Sequence, residues 1–136
     1  MALELTPDVY SHLLRAAREA APFEACGLLG GQGDRVTRFY PLTNADASAE
    51  HFRMLPAEQF AAVKAMRQSG LAMLAIWHSH PATPPRMSAE DLRLAFTPEV
   101  AYVILSLAAA APALGAYVVR DGVPEPIAIT VTKEEA

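Results

Sequence analysis

The sequence predicts an α/β sandwich: a mixed, mostly antiparallel sheet flanked by helices. Two long segments, 7–20 and 56–68, carry apolar residues at helical spacing and open on proline. Short apolar runs of strand length lie between and after them. The last third of the chain holds three such runs in succession, separated by turn signals. The resulting order α, β, β, α, β, α, β, β, β fits helices packed against one sheet. A chain of 136 residues suits a single domain spanning 1–136.

The elements follow in order. Thr6-Pro7 supplies an N-cap and a proline at the first helical position, and Val9, Tyr10, Leu13, Leu14 and Ala17 continue the period. Ala21-Pro22 ends that helix, because proline disfavours helical geometry in the residue before it. Cys26-Gly27-Leu28-Leu29-Gly30 reads as a buried strand, 30–34 as a glycine-rich turn and 35–42 as a second strand, together a hairpin. Residues 44–50 are small and polar, a loop, and 52–54 read as a short strand. Ser69-Gly70 closes the helix over 56–68. The apolar run 71–77 is a central strand. A loop with three prolines, 81–86, leads to a short helix over 88–96. Strands are expected at 101–106, 114–120 and 126–131, with Asp121-Gly122 as a turn. Residues 132–136 read as a frayed tail.

Composition narrows the function classes. The net charge is −4 and the basic residues are scattered, so nothing points to nucleic acid. One cysteine, Cys26, forms no intrachain disulfide and no Cys-rich zinc site, which fits a reducing, cytoplasmic compartment. The N-terminus has neither a basic region nor a long apolar one, so no signal peptide is expected. Residues 101–119 are apolar over a membrane-spanning length. Pro112 and Gly115 interrupt them, and the segment reads as two strands around a turn.

The chemistry concentrates in Trp77-His78-Ser79-His80-Pro81 and the following Ser88 and Asp91. Strand alternation puts His78 and His80 on one face, so both rings can reach one ion. Two imidazoles and a carboxylate are a ligand set for a catalytic zinc with an open position. The pair alone has a second reading, two polar residues at a strand end. Asp91 likewise has two: ligand, or helix cap with Ser88 at the N-cap and an acid at N3. The three prolines stiffen the connection, which suits a preorganised site. Glu24 is a candidate base at a strand edge, or a solvated loop residue. Cys26 reads as a buried small apolar residue, His12 as a helix-surface residue, and Ser79 should face away from the two histidines.

The constellation Glu24, His78-Ser79-His80-Pro81, Ser88, Asp91 resembles the JAMM (MPN+) metalloprotease family. Its members carry Glu, His-x-His, seven residues, Ser, two residues, Asp; here seven residues (81–87) and then two fill those gaps. Glu24-Ala25-Cys26-Gly27-Leu28-Leu29-Gly30 resembles the family's opening strand, and Asn44 and Phe52 fall where similar small members have Asn and an aromatic. The resemblance covers roughly 5–131 and implies an MPN/JAMM sandwich of cytidine-deaminase-like architecture. It implies one Zn²⁺ held by His78, His80 and Asp91. Glu24 would act as proton acceptor and donor, and Ser88 as hydrogen-bond donor to the oxyanion. The segment 96–99 is too short for the insertions of the eukaryotic deubiquitinases, so the chain is similar to the compact prokaryotic members. The implied reaction is hydrolysis of a peptide or isopeptide bond at the C-terminus of a ubiquitin-like or sulfur-carrier protein with a Gly-Gly tail. Two alternatives stand beside it: a zinc peptidase for short free peptides or cell-wall fragments, and a non-catalytic MPN scaffold. Exposed apolar strands leave a homodimer open.

Overall fold

The computed structural model describes residues 2–133. Strand β1 (Ala2–Leu5) precedes helix α1 (Pro7–Ala20), strands β2 (Cys26–Gln32) and β3 (Arg35–Leu42), helix α2 (Pro56–Gln68) and strand β4 (Ala72–His80). A short helix α3 (Ala89–Arg93) leads to β5 (Ala101–Ser106), β6 (Ala113–Arg120), β7 (Val123–Pro126) and β8 (Ala128–Val131). All eight strands form one sheet in the order β7-β6-β5-β4-β2-β3-β1-β8. Four neighbouring pairs are antiparallel (β2 with β3, β2 with β4, β5 with β6, β6 with β7) and three parallel (β1 with β3, β1 with β8, β4 with β5). The expected mixed, mostly antiparallel sheet is therefore present.

The local chemistry explains the helices. Thr6 accepts a hydrogen bond from Val9 N at 3.2 Å with Pro7 just inside the helix, and Val9, Leu13 and Ala17 face the core. Helix α2 begins and ends where the sequence places it, and buries Ala62 and Met66. The two helices cover different parts of the sheet. Around α1, Val9, Leu13 and Ala17 pack with Leu3, Leu5, Leu29, Val36, Trp77, Val103 and Leu105. Against α2, Ala62 and Met66 pack with Cys26, Leu28 and Met54.

Several expectations need correction. The first element is the unexpected strand β1: Leu3 and Leu5 are buried while Ala2 and Glu4 are exposed, a two-residue alternation too short to stand out. Strand β2 runs through Gln32, so the turn shrinks from 30–34 to Gly33-Asp34, with Gly33 at φ +60°. The segment 52–54 contributes a single bridge, Asn44 to Met54, and no strand. Strand β4 continues through His80, helix α3 is shorter than 88–96, and β6 starts one residue earlier than expected. The last expected strand, 126–131, is two. Proline has no N–H for a ladder, and the pairing of β7 with β6 ends at Pro126. Ile127 donates its own N–H to Ala116 O at 2.9 Å, and β8 then joins β1 at the opposite edge. The two edge strands are thus consecutive in the chain, so the sheet curls around α1. The expected tail lies partly outside the described residues, at 134–136. Within 101–119 the chain forms β5 and β6, and among the described residues no helix is long and apolar enough to cross a membrane.

The parallel β4–β5 pair places the site. A parallel pair requires a crossover, here the proline loop and α3, and ligands collect at the C-terminal ends of such strands. His80, the last residue of β4, pairs with Ser106, the last of β5.

The fold generates one stability prediction. The ladder shifts register at Gly30/Gly31, and a Cβ on Gly31 would stand 1.9 Å from Arg35 O, a backbone atom. Gly31→Ala should therefore cost about 2 kcal/mol or more. Denaturant unfolding should show a lower midpoint at constant slope, and an unchanged midpoint contradicts this close approach.

Candidate metal centre

His78 and His80 project from the same face of β4 and are 1% and 3% exposed. Across the β2–β4 ladder His78 sits opposite Cys26, which puts the segment before β2 beside the histidines. Ser79, between them, faces away as expected. Its hydroxyl accepts from Ala25 N at 2.8 Å, and its own N–H donates to Ala25 O at 3.0 Å. Ser79 therefore fastens the residue next to Glu24.

Glu24 is buried, 3% exposed, so the solvated-loop alternative falls. Its backbone is gripped by the loop after β3: Glu24 N donates to Ser48 O at 2.7 Å and Glu24 O accepts from Asn44 Nδ2 at 3.0 Å. Asn44 also donates to His51 O and accepts from Asp46 N and Arg53 N. One side chain thus ties both ends of the loop to Glu24. The same loop delivers Phe52, which stacks on His78 with ring centroids 4.8 Å apart. Asn44 and Phe52 were visible in the sequence only through the family resemblance; Ser79 carried no signal of its structural role.

Helix α3 supplies the carboxylate. Ser88 Oγ accepts from Asp91 N and Asp91 Oδ2 accepts from Ser88 N, both at 3.0 Å, a complete capping box. The cap does not consume Asp91. The same Oδ2 lies 3.0 Å from His80 Nε2 and 3.2 Å from His78 Nε2, and the two Nε2 atoms are 3.1 Å apart. Among the described residues, these are the three side chains that could hold a metal ion.

This triangle fits zinc on two grounds. A tetrahedral ion about 2.0–2.1 Å from each donor separates the donors by about 3.3 Å, close to the sides seen here. The proton count points the same way. His80 Nδ1 lies 2.8 Å from Pro84 O, which can only accept, so Nδ1 carries the proton. In the neutral ring Nε2 then aims a lone pair at a carboxylate oxygen, which is repulsive unless a cation or a proton intervenes.

The electrostatics follow. Burial opposes charge on His80, but Asp91 and the Pro84 carbonyl outweigh it and raise its pKa. On His78 burial wins over Asp91, and the ring is held neutral, its Nδ1 without a hydrogen-bond partner among the described residues. Burial alone would raise Asp91, yet the two imidazoles that face its carboxylate and the Ser88 N–H hold it well below the usual carboxylate range. Glu24 is pushed from 4.5 up to about 8, chiefly by burial, partly offset by His80 and reinforced by Asp91. Its Oε1 is buried without a hydrogen-bond partner among the described residues. Cys26 is buried against α2 and its thiol is pushed up to about 12, again mainly by burial, so it is no thiolate nucleophile at neutral pH. His12 is exposed on α1, as expected; His51 bonds to Asp46 and Ser48 in the loop.

A small apolar cavity of about 20 Å³ lies against His78 and Asp91, walled by Phe52, Met87, Leu94 and Tyr102. Phe52, Leu94 and Tyr102 also line a neighbouring groove of about 250 Å³, together with Met54 and Phe96.

Residues 6–118 match the family of prokaryotic homologs of the JAB domain. The CysO-cysteine peptidase of Mycobacterium tuberculosis is 36% identical over 106 residues, covering 76% of this chain and 73% of that protein. The desampylase of Haloferax volcanii is 33% identical over 111 residues, covering 76% and 80%. The solution structure of protein DSY2949 from Desulfitobacterium hafniense superposes with a TM-score of 0.88 at 47% identity, covering 97% of this chain and 94% of that one.

The burial of Glu24 predicts a pH-dependent stability of the metal-free protein. A carboxyl whose pKa rises from 4.5 to about 8 on folding contributes stability that is present below 4.5 and is lost as pH rises through about 8. The loss accrues at up to about 1.4 kcal/mol per pH unit inside that window. Glu24→Gln removes it. Melting curves of the two metal-free proteins should diverge with rising pH, the variant becoming the more stable; parallel curves would show that Glu24 ionises freely in the fold.

Proposed function

The chain belongs to the prokaryotic homologs of the JAB domain, and from that premise we propose that it is a zinc-dependent peptidase acting on ubiquitin-like or sulfur-carrier proteins. The bond cut is the peptide or isopeptide bond at the carrier's C-terminus. The observation that carries this reading is the buried triangle of His78, His80 and Asp91, with the buried carboxyl of Glu24 coupled electrostatically to His80 and Asp91. The relatives named above as acting on CysO-cysteine and as a desampylase supply the substrate class. The groove that shares Phe52, Leu94 and Tyr102 with the cavity beside His78 is the place for a Gly-Gly tail, because glycine brings the backbone close without a side chain. A lone, buried, reduced cysteine is in keeping with a cytoplasmic enzyme.

In this reading His78, His80 and Asp91 hold one Zn²⁺ per chain. When bound, the ion supplies Lewis acidity, which acidifies a water and polarises the scissile carbonyl. Glu24 accepts the proton of the attacking water. Its burial makes it a stronger base than an ordinary carboxylate, and a neighbouring dication brings its pKa back towards neutrality. As the carbon–nitrogen bond breaks, Glu24 passes that proton to the leaving amine. Ser88 serves twice. Its oxygen lone pair caps α3 by accepting from Asp91 N, so its O–H remains free to donate to the developing oxyanion. Asn44 and Ser79 act through Glu24 by holding the carbonyl and the N–H of the Glu24–Ala25 peptide, the backbone that carries its carboxylate.

Hydrolysis of a carrier protein bearing a C-terminal cysteine tests the roles. Glu24→Gln should bind one zinc per chain and lose about 10²–10⁴ in turnover; a fully active variant overturns the proton-transfer role. Ser88→Ala should slow hydrolysis by about 10²–10³. If instead that variant only melts earlier, by about 1 kcal/mol, its hydroxyl is a cap and nothing more. Equal cleavage of short free peptides or cell-wall fragments would favour a general peptidase. Absence of zinc would favour a scaffold.

A further inference from the structure

Between His80 and Ser88 the chain carries Pro81, Pro84 and Pro85, which have no N–H to offer. What this loop presents to the sheet is carbonyl oxygen. Three consecutive carbonyls are each taken by a side chain from a different strand. Ser106 Oγ on β5 donates to Thr83 O at 2.6 Å. His80 Nδ1 on β4 donates to Pro84 O at 2.8 Å. Tyr117 Oη on β6 donates to Pro85 O at 2.7 Å. The Pro84 carbonyl also accepts from Arg86 N at 2.8 Å, which tightens the turn.

The strands are shaped for this contact. Ser106 is 2% exposed and accepts from Ala108 N at 3.1 Å, which leaves its proton for Thr83. Gly115 pairs with Ile104, directly across β5 from His78. A Cβ on Gly115 would stand 2.3 Å from Pro85 O, so any side chain there lifts the loop. Neither Ser106 nor Tyr117 offers an atom to the donor triangle. Both set the position of the loop that carries Asp91 and gives His80 its hydrogen-bond acceptor.

We propose that Ser106 and Tyr117 are positioning residues of the metal centre. They anchor the carbonyls on either side of Pro84. That keeps the Pro84 carbonyl against His80 Nδ1, the proton on Nδ1, and the Nε2 lone pair aimed at the ion. They also fix the start of α3, and so the place of Asp91 Oδ2 relative to both imidazoles. This inference rests on the zinc reading of the triangle and adds to it the side chains that hold the triangle in shape.

The test is zinc affinity, measured with Zn²⁺ alone against a competing chelator. Turnover on the carrier substrate and melting of the metal-free protein accompany it. Tyr117→Phe removes one oxygen from a half-buried ring and leaves the packing intact. It should weaken zinc binding about tenfold and lower kcat with little change in KM. Ser106→Ala should do the same, and Ser106→Thr, which restores a hydroxyl, should recover most of the affinity. If Ser106→Ala does not fold, Tyr117→Phe decides the matter alone. A Tyr117→Phe protein that melts earlier yet binds zinc as tightly as the parent overturns the inference while leaving the zinc reading intact. A parent chain that binds no zinc overturns both.

Discussion

Three polar atoms, two imidazole nitrogens and one carboxylate oxygen, are held 3.0–3.2 Å apart in a place that water scarcely reaches. Such a cluster is costly to bury. Hydrogen bonding cannot fully satisfy it, since His80 has committed its proton to the Pro84 carbonyl. The surrounding structure is arranged to tolerate this. Phe52 stacks on His78, the capping box holds Asp91 from behind, and the end of β4 is stitched to Ala25 through Ser79. A shared cation resolves the conflict among all three atoms at once, which is why the triangle reads as a ligand set rather than a hydrogen-bonded core.

Burial also divides the labour between the two acids. Asp91 faces two imidazoles and the Ser88 N–H and stays ionised; Glu24, with no donor on Oε1 among the described residues, is pushed up to about 8 by burial. Two carboxylates in one site thus differ in proton affinity because their partners differ. One suits a ligand and the other a group that must take up and release a proton. Ser88 shows a similar economy within a single hydroxyl. Its oxygen caps α3, which leaves the O–H for the oxyanion role proposed above.

Much of this was legible in the chain because it is encoded locally. Thr6-Pro7 marks the start of α1, the period of Val9, Leu13 and Ala17 marks its buried face, and His78, His80, Ser88 and Asp91 lie within one short stretch whose spacing carries the family pattern. What was hidden depends on distant partners. Strand β1 has only Leu3 and Leu5 as signal and exists because β3 and β8 flank it. The split between β7 and β8 depends on Ile127 meeting Ala116. Ser106 and Tyr117 read as ordinary strand residues until the proline loop folds back over them. Glu24 is the intermediate case: its residue type matched the pattern, but its burial depends on the loop that Asn44 ties down.

The position of the cut bond is the most direct reading of the function. Intact mass measurement of a ubiquitin-like carrier with a C-terminal extension, before and after incubation with the zinc-loaded protein, reads this directly. One product whose mass ends at the Gly-Gly terminus is expected, and it should disappear when zinc is chelated. A carrier that stays intact beside a chain holding one zinc, or that is cut at internal positions, would contradict it.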